Sequence, residues 1–287
     1  MKAVTYLTRR NMLKKGSMAL VGGGILARSG WVEATDLPMV RRVTLVHPRL
    51  PSAFEGLRIA QVADVHAGVF MPPARLAQVR SLVEALSPDL VVFTGDIVDS
   101  PAADLAAWVP ELARLTARHG VFAILGNHDR VAGFDAVGAA LRRWSGCRVL
   151  RDEVATIVVG DARLHIAGLD DQPEATAAEL IPRLLAEVPA GETIVLLAHH
   201  PNLFPLAVAS DVPLTLAGHT HGGQIAVPSR GLNLARLSTP YIAGAYQKAG
   251  ELLYVSRGIG VGAVPLRFGV PPEIDLITLQ RGPLAGG

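Results

Sequence analysis

Wholly apolar segments alternate with helical segments along most of this chain, and this alternation constrains the fold more than any other feature. Residues 90–94, 121–125 and 193–198 are continuous apolar runs of strand length. Before the first run, residues 73–86 carry apolar side chains at spacings of three and four, and between the first and second runs residues 103–118 also favour a helix. Strands that are apolar on both faces are typical of parallel sheets covered on both sides. The sequence therefore predicts an α/β domain.

The remaining elements extend this pattern over one domain. A turn signal, Gly160-Asp161-Ala162, joins two short apolar runs and indicates a hairpin. Further strands are predicted at 43–46, 57–63, 154–159, 163–168, 212–217, 252–256 and 274–279, and further helices at 136–144 and 180–187. The chain has neither a long linker nor an internal repeat, so residues 35–287 are predicted to form a single domain.

Composition narrows the classes of partner. Half of the 287 residues are hydrophobic and 18% are charged, which predicts a sizeable core. Of the 27 Lys and Arg residues, six lie in residues 1–34, which leaves 21 against 24 acidic residues in the remainder. This mildly acidic body argues against a nucleic acid partner. The single cysteine, Cys147, excludes a disulfide within the chain and a Cys-rich zinc site.

Residues 1–34 have the features of an export signal. The segment around Arg9 and Arg10 resembles the twin-arginine signal, with Met12 where that signal usually has an aromatic residue. The apolar run that follows, 16–27, is shorter than the ~20 residues that span a bilayer as a helix. We expect the twin-arginine machinery to export the protein to the periplasm or cell envelope. An uncleaved signal would keep it at the membrane surface, and a short surface helix is the alternative interpretation.

Five polar clusters follow predicted strands. In α/β sheets, ligands bind outside the carboxyl ends of the strands, where all five clusters fall. Their carboxylates, imidazoles and amide suit divalent Mn, Fe, Co or Zn, and they are too many for one ion and enough for two. The clusters are Asp64 with His66, Asp96 with Asp99, Asn127 with His128, His199 alone, and His219 with His221.

The same clusters form a motif series in chain order: D-x-H, G-D-x-x-D, G-N-H-D, a His two residues before Pro201, and G-H-x-H. This series resembles that of the calcineurin-like metallophosphoesterases. Over residues 40–280 the similarity is to their bacterial, twin-arginine-exported YkuE/YaeI-type branch. The resemblance implies two mixed β-sheets packed as a sandwich and flanked by helices.

The resemblance also implies a role for each site residue. One divalent ion would be held by Asp64, His66, Asp96 and His221, and a second by Asp96, Asn127, His199 and His219. His128, paired with Asp99, would face the substrate as proton donor or transition-state stabiliser, while a metal-bridging hydroxide attacks the phosphate ester. Ser100 stands where the protein-phosphatase branch has Arg, which disfavours a protein phosphatase.

The expected function is that of an exported metal-dependent phosphohydrolase acting on phosphodiesters. One alternative is a hydrolase of a lipid-linked substrate, such as the pyrophosphate of UDP-2,3-diacylglucosamine in lipid A metabolism. Another is a catalytically silent metal-binding scaffold. Tyr241 and Tyr246 either belong to the core or line a groove for a lipid-like substrate.

Several other polar residues are expected to lie outside the site. Because neighbouring residues of a strand point to opposite sides, we expect His200 to face away from the metals. Three histidines, His47, His119 and His165, are expected to be structural. Asp170 and Asp171 are expected to cap a loop rather than to bind metal.

Overall fold

The computed structural model describes residues 31–33, 36–99, 105–112, 114–143, 147–227, 232–262 and 266–284. The strands are β1 Trp31–Glu33, β2 Met39–Val46, β3 Arg58–Val62, β4 Leu90–Thr94, β5 Val121–Ile124, β6 Cys147–Val149, β7 Glu153–Val159, β8 Ala162–Leu169, β9 Thr193–Ala198, β10 Leu214–Ala217, β11 Ala226–Val227, β12 Leu232–Asn233, β13 Gly244–Lys248, β14 Glu251–Val255, β15 Leu266–Phe268 and β16 Glu273–Gln280. The α-helices are α1 Pro73–Ala85, α2 Leu105–Leu112, α3 Asn127–Ala132, α4 Phe134–Arg142, α5 Glu174–Leu185 and α6 Phe204–Ala209.

Two six-stranded mixed sheets form the body of the molecule. The first has the order β2-β16-β3-β4-β5-β6, and the second has the order β13-β14-β10-β9-β8-β7. In the first sheet only β16 and β3 pair antiparallel, and in the second the central strands β14, β10, β9 and β8 are all parallel. The two mixed sheets with flanking helices confirm the predicted fold class.

Side chains of each central strand alternate between two cores, which explains why these strands are apolar throughout. In β4, Leu90 and Val92 enter the core between the two sheets, whereas Val91 and Phe93 pack in the core beneath helices α1, α2 and α4. Strand β9 alternates in the same way between the central core and a third core beneath α5 and α6. The order of layers is therefore helix, sheet, sheet, helix.

The helices differ from the predicted ranges at their ends. Helix α2 stops at Leu112, and residues 114–120 form turns rather than the expected continuation to 118. Pro110 lies inside α2, where its ring removes a backbone donor and disfavours a longer helix. Helix α5 begins at Glu174, six residues before the predicted start, directly after Pro173. Proline before or at the first helical position is a common start, because it needs no backbone partner there.

Most of the predicted export signal, residues 1–30 and 34, lies outside the described residues. Residues 31–33, which we assigned to that signal, form strand β1 and pair antiparallel with β15 through Trp31 and Phe268, Val32 and Arg267, and Glu33 and Leu266. Strand β1 therefore lies before the predicted boundary at residue 35. None of the helices in the described ranges is long and apolar enough to span a bilayer.

Candidate metal centre

All five predicted clusters meet at one edge of the sandwich, where the parallel strands end. The loops after β3 and β4 are joined by backbone hydrogen bonds, from His66 N to Asp96 O at 2.9 Å and from Ala67 N to Ile97 O at 2.9 Å. The second sheet contributes the loops after β9 and β10, linked by Gly218 N to His199 O at 3.2 Å. The sheet order thus brings together side chains that are far apart in sequence.

The first group consists of Asp64, His66 and His221, each of which offers a ligand atom within 4.8 Å of the others. His66 Nε2 lies 3.0 Å from His221 Nε2, and His221 Nε2 lies 3.9 Å from Asp64 Oδ1. All three residues are buried. Asp64 Oδ1 accepts the His219 backbone N–H at 2.9 Å, which fixes the orientation of the carboxylate in this group.

The second group is built from Asn127, His199 and His219. His199 Nε2 lies 3.0 Å from Asn127 Oδ1, and His219 Nδ1 lies 3.1 Å from the same oxygen. His199 Nδ1 lies 2.8 Å from the Thr94 carbonyl, to which it donates. This bond turns Nε2 towards the group, an arrangement that orients histidine ligands of metals.

Asp96 connects the two groups through a single oxygen. Its Oδ2 lies 3.6 Å from His66 Nε2 and 3.3 Å from His199 Nε2. Its other oxygen, Oδ1, accepts the His128 backbone N–H at 2.8 Å and is thereby held away from the groups. One carboxylate oxygen is therefore positioned to be a ligand shared by both groups.

The spacing and the donor chemistry fit divalent metal ions. Nitrogen and oxygen atoms bound to a common ion at about 2.0–2.2 Å lie roughly 3.0–3.5 Å apart. The contacts of His199 with Asn127 and Asp96, at 3.0 and 3.3 Å, fall in this range. Imidazoles with carboxylate and amide oxygens are ligands of Mn, Fe, Co and Zn. The structure brings all seven predicted ligands together, and their assignment to individual ions stays a prediction.

The carboxylates make this region attractive to positive charge. Burial alone lowers the pKa of His199, but the charges of Asp96 and Asp64 outweigh it and raise that pKa to about 10. Burial, aided by the charges of His199 and His200, lowers the pKa of His219 to about 3. Burial also raises the pKa of Asp64. A bound cation would compete with a proton for His199.

His128 and Asp99 form a more accessible pair beside the first group. His128 Nδ1 lies 2.7 Å from Asp99 Oδ1, and the two side chains are 35% and 37% exposed. The hydrogen bond that His128 donates to Asp99 is the largest cause of the raised pKa of His128, and it outweighs the opposing effect of burial. The raised pKa favours a protonated ring near neutral pH. This state is the one that a proton donor requires.

His200 lies at the rim and is bound to a carboxylate. Its Nε2 lies 2.7 Å from Asp171 Oδ1, and its ring centroid is 3.9 Å from that of His219. His199, His200 and His219 also have ligand atoms within 4.8 Å of one another. By distance alone, His200 could therefore also bind a metal. Its bond to Asp171 favours a place outside the ligand set. Asp171 contacts this rim directly, unlike Asp170, which is paired with Arg151.

Two residues that support the site were not identified from the sequence. The buried Asp129 carboxylate accepts backbone N–H groups of Ile97, Val98 and Gly126 at 2.9–3.1 Å, which clamps the loops after β4 and β5. Arg267, also fully buried, donates to the Gly258 and Gly260 carbonyls and lies 3.2 Å from His221 Nδ1. The G-N-H-D motif contains Asp129, so a second carboxylate beside the predicted ligands was the available signal. No sequence pattern indicates the burial of Arg267.

The remaining histidines and tyrosines lie elsewhere. His47 Nε2 contacts the Gly250 carbonyl, and His165 is bound to Thr156 and Glu192. His119 occupies the turn before β5. Tyr241 and Tyr246 pack against each other with ring centroids 5.2 Å apart and border the third core, which favours the core interpretation. Ser100 lies outside the described residues.

Glycines leave room for the carboxylates of the site. A Cβ atom on Gly218 would lie 2.7 Å from Asp64 Oδ2, and one on Gly126 would overlap Asp96 Oδ1. Both contacts would be closer than ordinary van der Waals contact. The glycines of G-N-H-D and G-H-x-H are therefore required by the close approach of the two strand ends to the ligands.

Comparison with known proteins gives a consistent family. Residues 57–223 match the calcineurin-like phosphoesterase family. The chain is 34% identical to the metallophosphoesterase YkuE of Bacillus subtilis over 96% of this chain and 98% of that protein. A metallophosphoesterase of Aquifex aeolicus is 32% identical over 84% of this chain and 91% of the relative.

A longer relative is a zebrafish (Danio rerio) protein described as a transmembrane protein with a metallophosphoesterase domain. It is 29% identical over 92% of this chain, which spans 62% of that protein.

Proposed function

Because the chain belongs to the calcineurin-like phosphoesterase family, we propose that it is a metal-dependent phosphoester hydrolase that acts on phosphodiesters. The observation that carries this proposal is the position of Asp96. Its Oδ2 lies 3.6 Å from a histidine of one group and 3.3 Å from a histidine of the other. A carboxylate between two ligand groups is what a pair of metal ions requires.

The ligand sets follow from the two groups. Asp64, His66 and His221 would hold one ion, and Asn127, His199 and His219 the other, with Asp96 shared. Such a pair lowers the pKa of a water molecule and neutralises phosphoryl charge when it is bound. The mixed nitrogen and oxygen ligands suit Mn, Fe, Co or Zn.

His128 is the group that supplies a proton to the leaving alcohol. Asp99 binds His128 at Nδ1, so the ring donates from Nε2. The raised pKa of His128 favours the protonated ring, and the leaving ester oxygen would accept this proton as its bond to phosphorus breaks. No nucleophilic side chain is needed, because water is the attacking group.

Hydrolysis of bis-p-nitrophenyl phosphate by purified protein, with metal content measured on the same sample, tests this proposal. We expect turnover that chelation abolishes and that added divalent metal restores. UDP-2,3-diacylglucosamine, tested in parallel, distinguishes the lipid-linked substrate class. Protein that binds two metals but hydrolyses neither these substrates nor a panel of phosphomonoesters would be a scaffold, contrary to the proposal.

We also propose that the protein acts outside the cytoplasmic membrane and is exported by the twin-arginine machinery. The proposal rests on Arg9 and Arg10 with the short apolar run behind them. Replacing both arginines by lysine should leave folded, metal-loaded enzyme in the cytoplasm, measured by fractionation. Export at the normal rate would contradict the assignment.

A further inference from the structure

Arg130 lies at the rim of the metal centre. Its guanidinium is held in place by neighbouring side chains but has hydrogen-bond donors left over. It lies on helix α3, three residues after Asn127, so the two side chains are neighbours on the helix surface with Cβ atoms about 5–6 Å apart. Its side chain is 48% exposed. A cation one helical turn from a proposed metal ligand is within reach of a substrate bound there.

Two contacts orient the Arg130 side chain. Nε lies 3.1 Å from Asp171 Oδ2, and the guanidinium carbon lies 4.5 Å from the centre of the Phe134 ring. The other oxygen of Asp171 binds His200, whose ring contacts that of His219 with their planes tilted by 56°. The guanidinium is therefore linked to the metal centre through Asp171 and His200. An arginine restrained in this way loses little conformational freedom when it binds an anion.

The two terminal nitrogens of Arg130, Nη1 and Nη2, make no hydrogen bond to any residue in the described ranges. Its one carboxylate partner, Asp171, is shared with His200. The planar pair of terminal nitrogens matches the oxygens of a phosphate, to which arginine binds in bidentate fashion.

Arg151 provides a comparison on the same aromatic ring. Its guanidinium carbon lies 5.4 Å from the centre of the Phe134 ring. Nε donates to Asp170 at 2.8 Å and Nη1 donates to Asp135 at 2.8 Å. Two carboxylates therefore balance the charge of Arg151, and its side chain is only 28% exposed. Of these two arginines, only Arg130 has both terminal nitrogens without a hydrogen bond to a residue in the described ranges, and it is the more exposed of the two.

We propose that Arg130 forms a subsite for a second phosphate group of the substrate, beyond the phosphate that is hydrolysed. The preferred substrate class is then a phosphodiester in which one of the two esterified alcohols carries a further phosphate. This inference rests on the proposed hydrolase activity for its kinetic test, and on the geometry around Arg130 alone for its binding test.

Two p-nitrophenyl esters provide the kinetic test, since they differ only in the second phosphate: thymidine 5′-(p-nitrophenyl phosphate) and the same compound with a 3′-phosphate. Wild-type enzyme should prefer the 3′-phosphorylated ester by about 10–100-fold in kcat/KM, the range for a charged hydrogen-bonded pair. Arg130→Gln should reduce this preference to about threefold or less, mainly through KM. Arg130→Lys should retain part of it, and Arg151→Gln should retain all of it.

Binding without turnover provides an independent readout. Titration calorimetry of metal-loaded protein should show thymidine 3′,5′-bisphosphate binding more tightly than thymidine 5′-phosphate, with the difference lost in Arg130→Gln and kept in Arg151→Gln. Equal binding of the two nucleotides by wild-type protein, or an equal loss in both arginine variants, would overturn the subsite. Failure of wild-type protein to hydrolyse either ester would overturn the proposed function instead and would leave the binding test decisive for Arg130.

Discussion

The two ends of the sandwich use the left-handed backbone conformation differently. At the end away from the metal centre, Ser87, Asp211 and Ala249 have positive φ and lie in solvent-exposed turns before strands β4, β10 and β14. At the metal end, positive φ is found at the predicted ligands themselves, which are Asp64, His66, Asp96, His219 and His221, with φ between 47° and 71°. Four of these five ligands are buried.

This difference shows where the structure concentrates strain. A left-handed residue with a side chain costs roughly 1–3 kcal/mol and persists only where its surroundings enforce it. In the exposed turns the conformation only reverses the chain. At the metal end it turns buried side chains towards one another after the strands have ended. The second arrangement is expected to be sensitive to substitution, and the first is not.

The largest expected effect comes from the shared carboxylate. Asp96→Asn removes the charge that faces both ligand groups, so we expect turnover to be lost and the binding of both metals to be disrupted. Asp211→Asn is the matched control, because it makes the same chemical change at a residue with φ 59°, against 52° at Asp96, in an exposed turn. Two bound ions and near-normal activity in Asp96→Asn would contradict the shared-ligand assignment.

The second effect separates the adjacent histidines after β9. His199→Ala should lose one of two metal ions, because its Nε2 faces Asn127 and Asp96. His200→Ala should keep both, because its Nε2 is bound to Asp171. Metal analysis of the two purified variants checks this prediction, and the reverse pattern would transfer the ligand role to His200.

A smaller effect is expected at His128, which lies at the metal end but outside the ligand set. His128→Ala should retain both metals and lower the rate by about 10²–10⁴, the range for loss of a general acid. The loss should shrink for esters with good leaving groups, which need little protonation. An equal loss across a leaving-group series would assign His128 to stabilising phosphate charge rather than to proton donation.

The smallest effect on activity is expected at the far end. Gly160 has φ 59°, and a Cβ atom there meets nothing within 4 Å. Gly160→Ala should therefore lower the free energy of unfolding by about 1–2 kcal/mol through the backbone alone. We expect kcat/KM to be unchanged. Gly126→Ala at the metal end has an ordinary φ but forces Asp96 to move, so it should lower metal affinity. Denaturant unfolding and metal titration of both variants test this difference between the two ends. Similar metal affinities in Gly160→Ala and Gly126→Ala would contradict it.

The sequence predicted the central strands well because both of their faces are buried. Strands β4 and β9 match the predicted ranges, since continuous apolar runs with turn residues on either side leave little freedom. The ends of α2 and α5 were wrong, because Pro110 and Pro173 act through backbone geometry that the apolar pattern does not report. The strand at Trp31–Glu33 was missed, since its partner β15 lies more than 200 residues away.

The convergence of the predicted ligands could be foreseen for a related reason. Parallel strands place their carboxyl ends together, so polar clusters after successive strands had to converge. The contacts around them were not predictable. Asp171 contacts both His200, which follows β9, and Arg130, which lies on α3. Arg267 contacts His221, which lies 46 residues away in the chain. Such contacts depend on three-dimensional packing and leave no periodic pattern in the chain.

The central claim is that two divalent ions share Asp96, and metal reconstitution tests it most directly. Metal-free protein would be titrated with Mn²⁺ or Zn²⁺ while bound ions per chain and hydrolysis of bis-p-nitrophenyl phosphate are measured together. We predict two ions per chain, with activity rising as the second ion binds. Full activity with one ion or none per chain would contradict the claim.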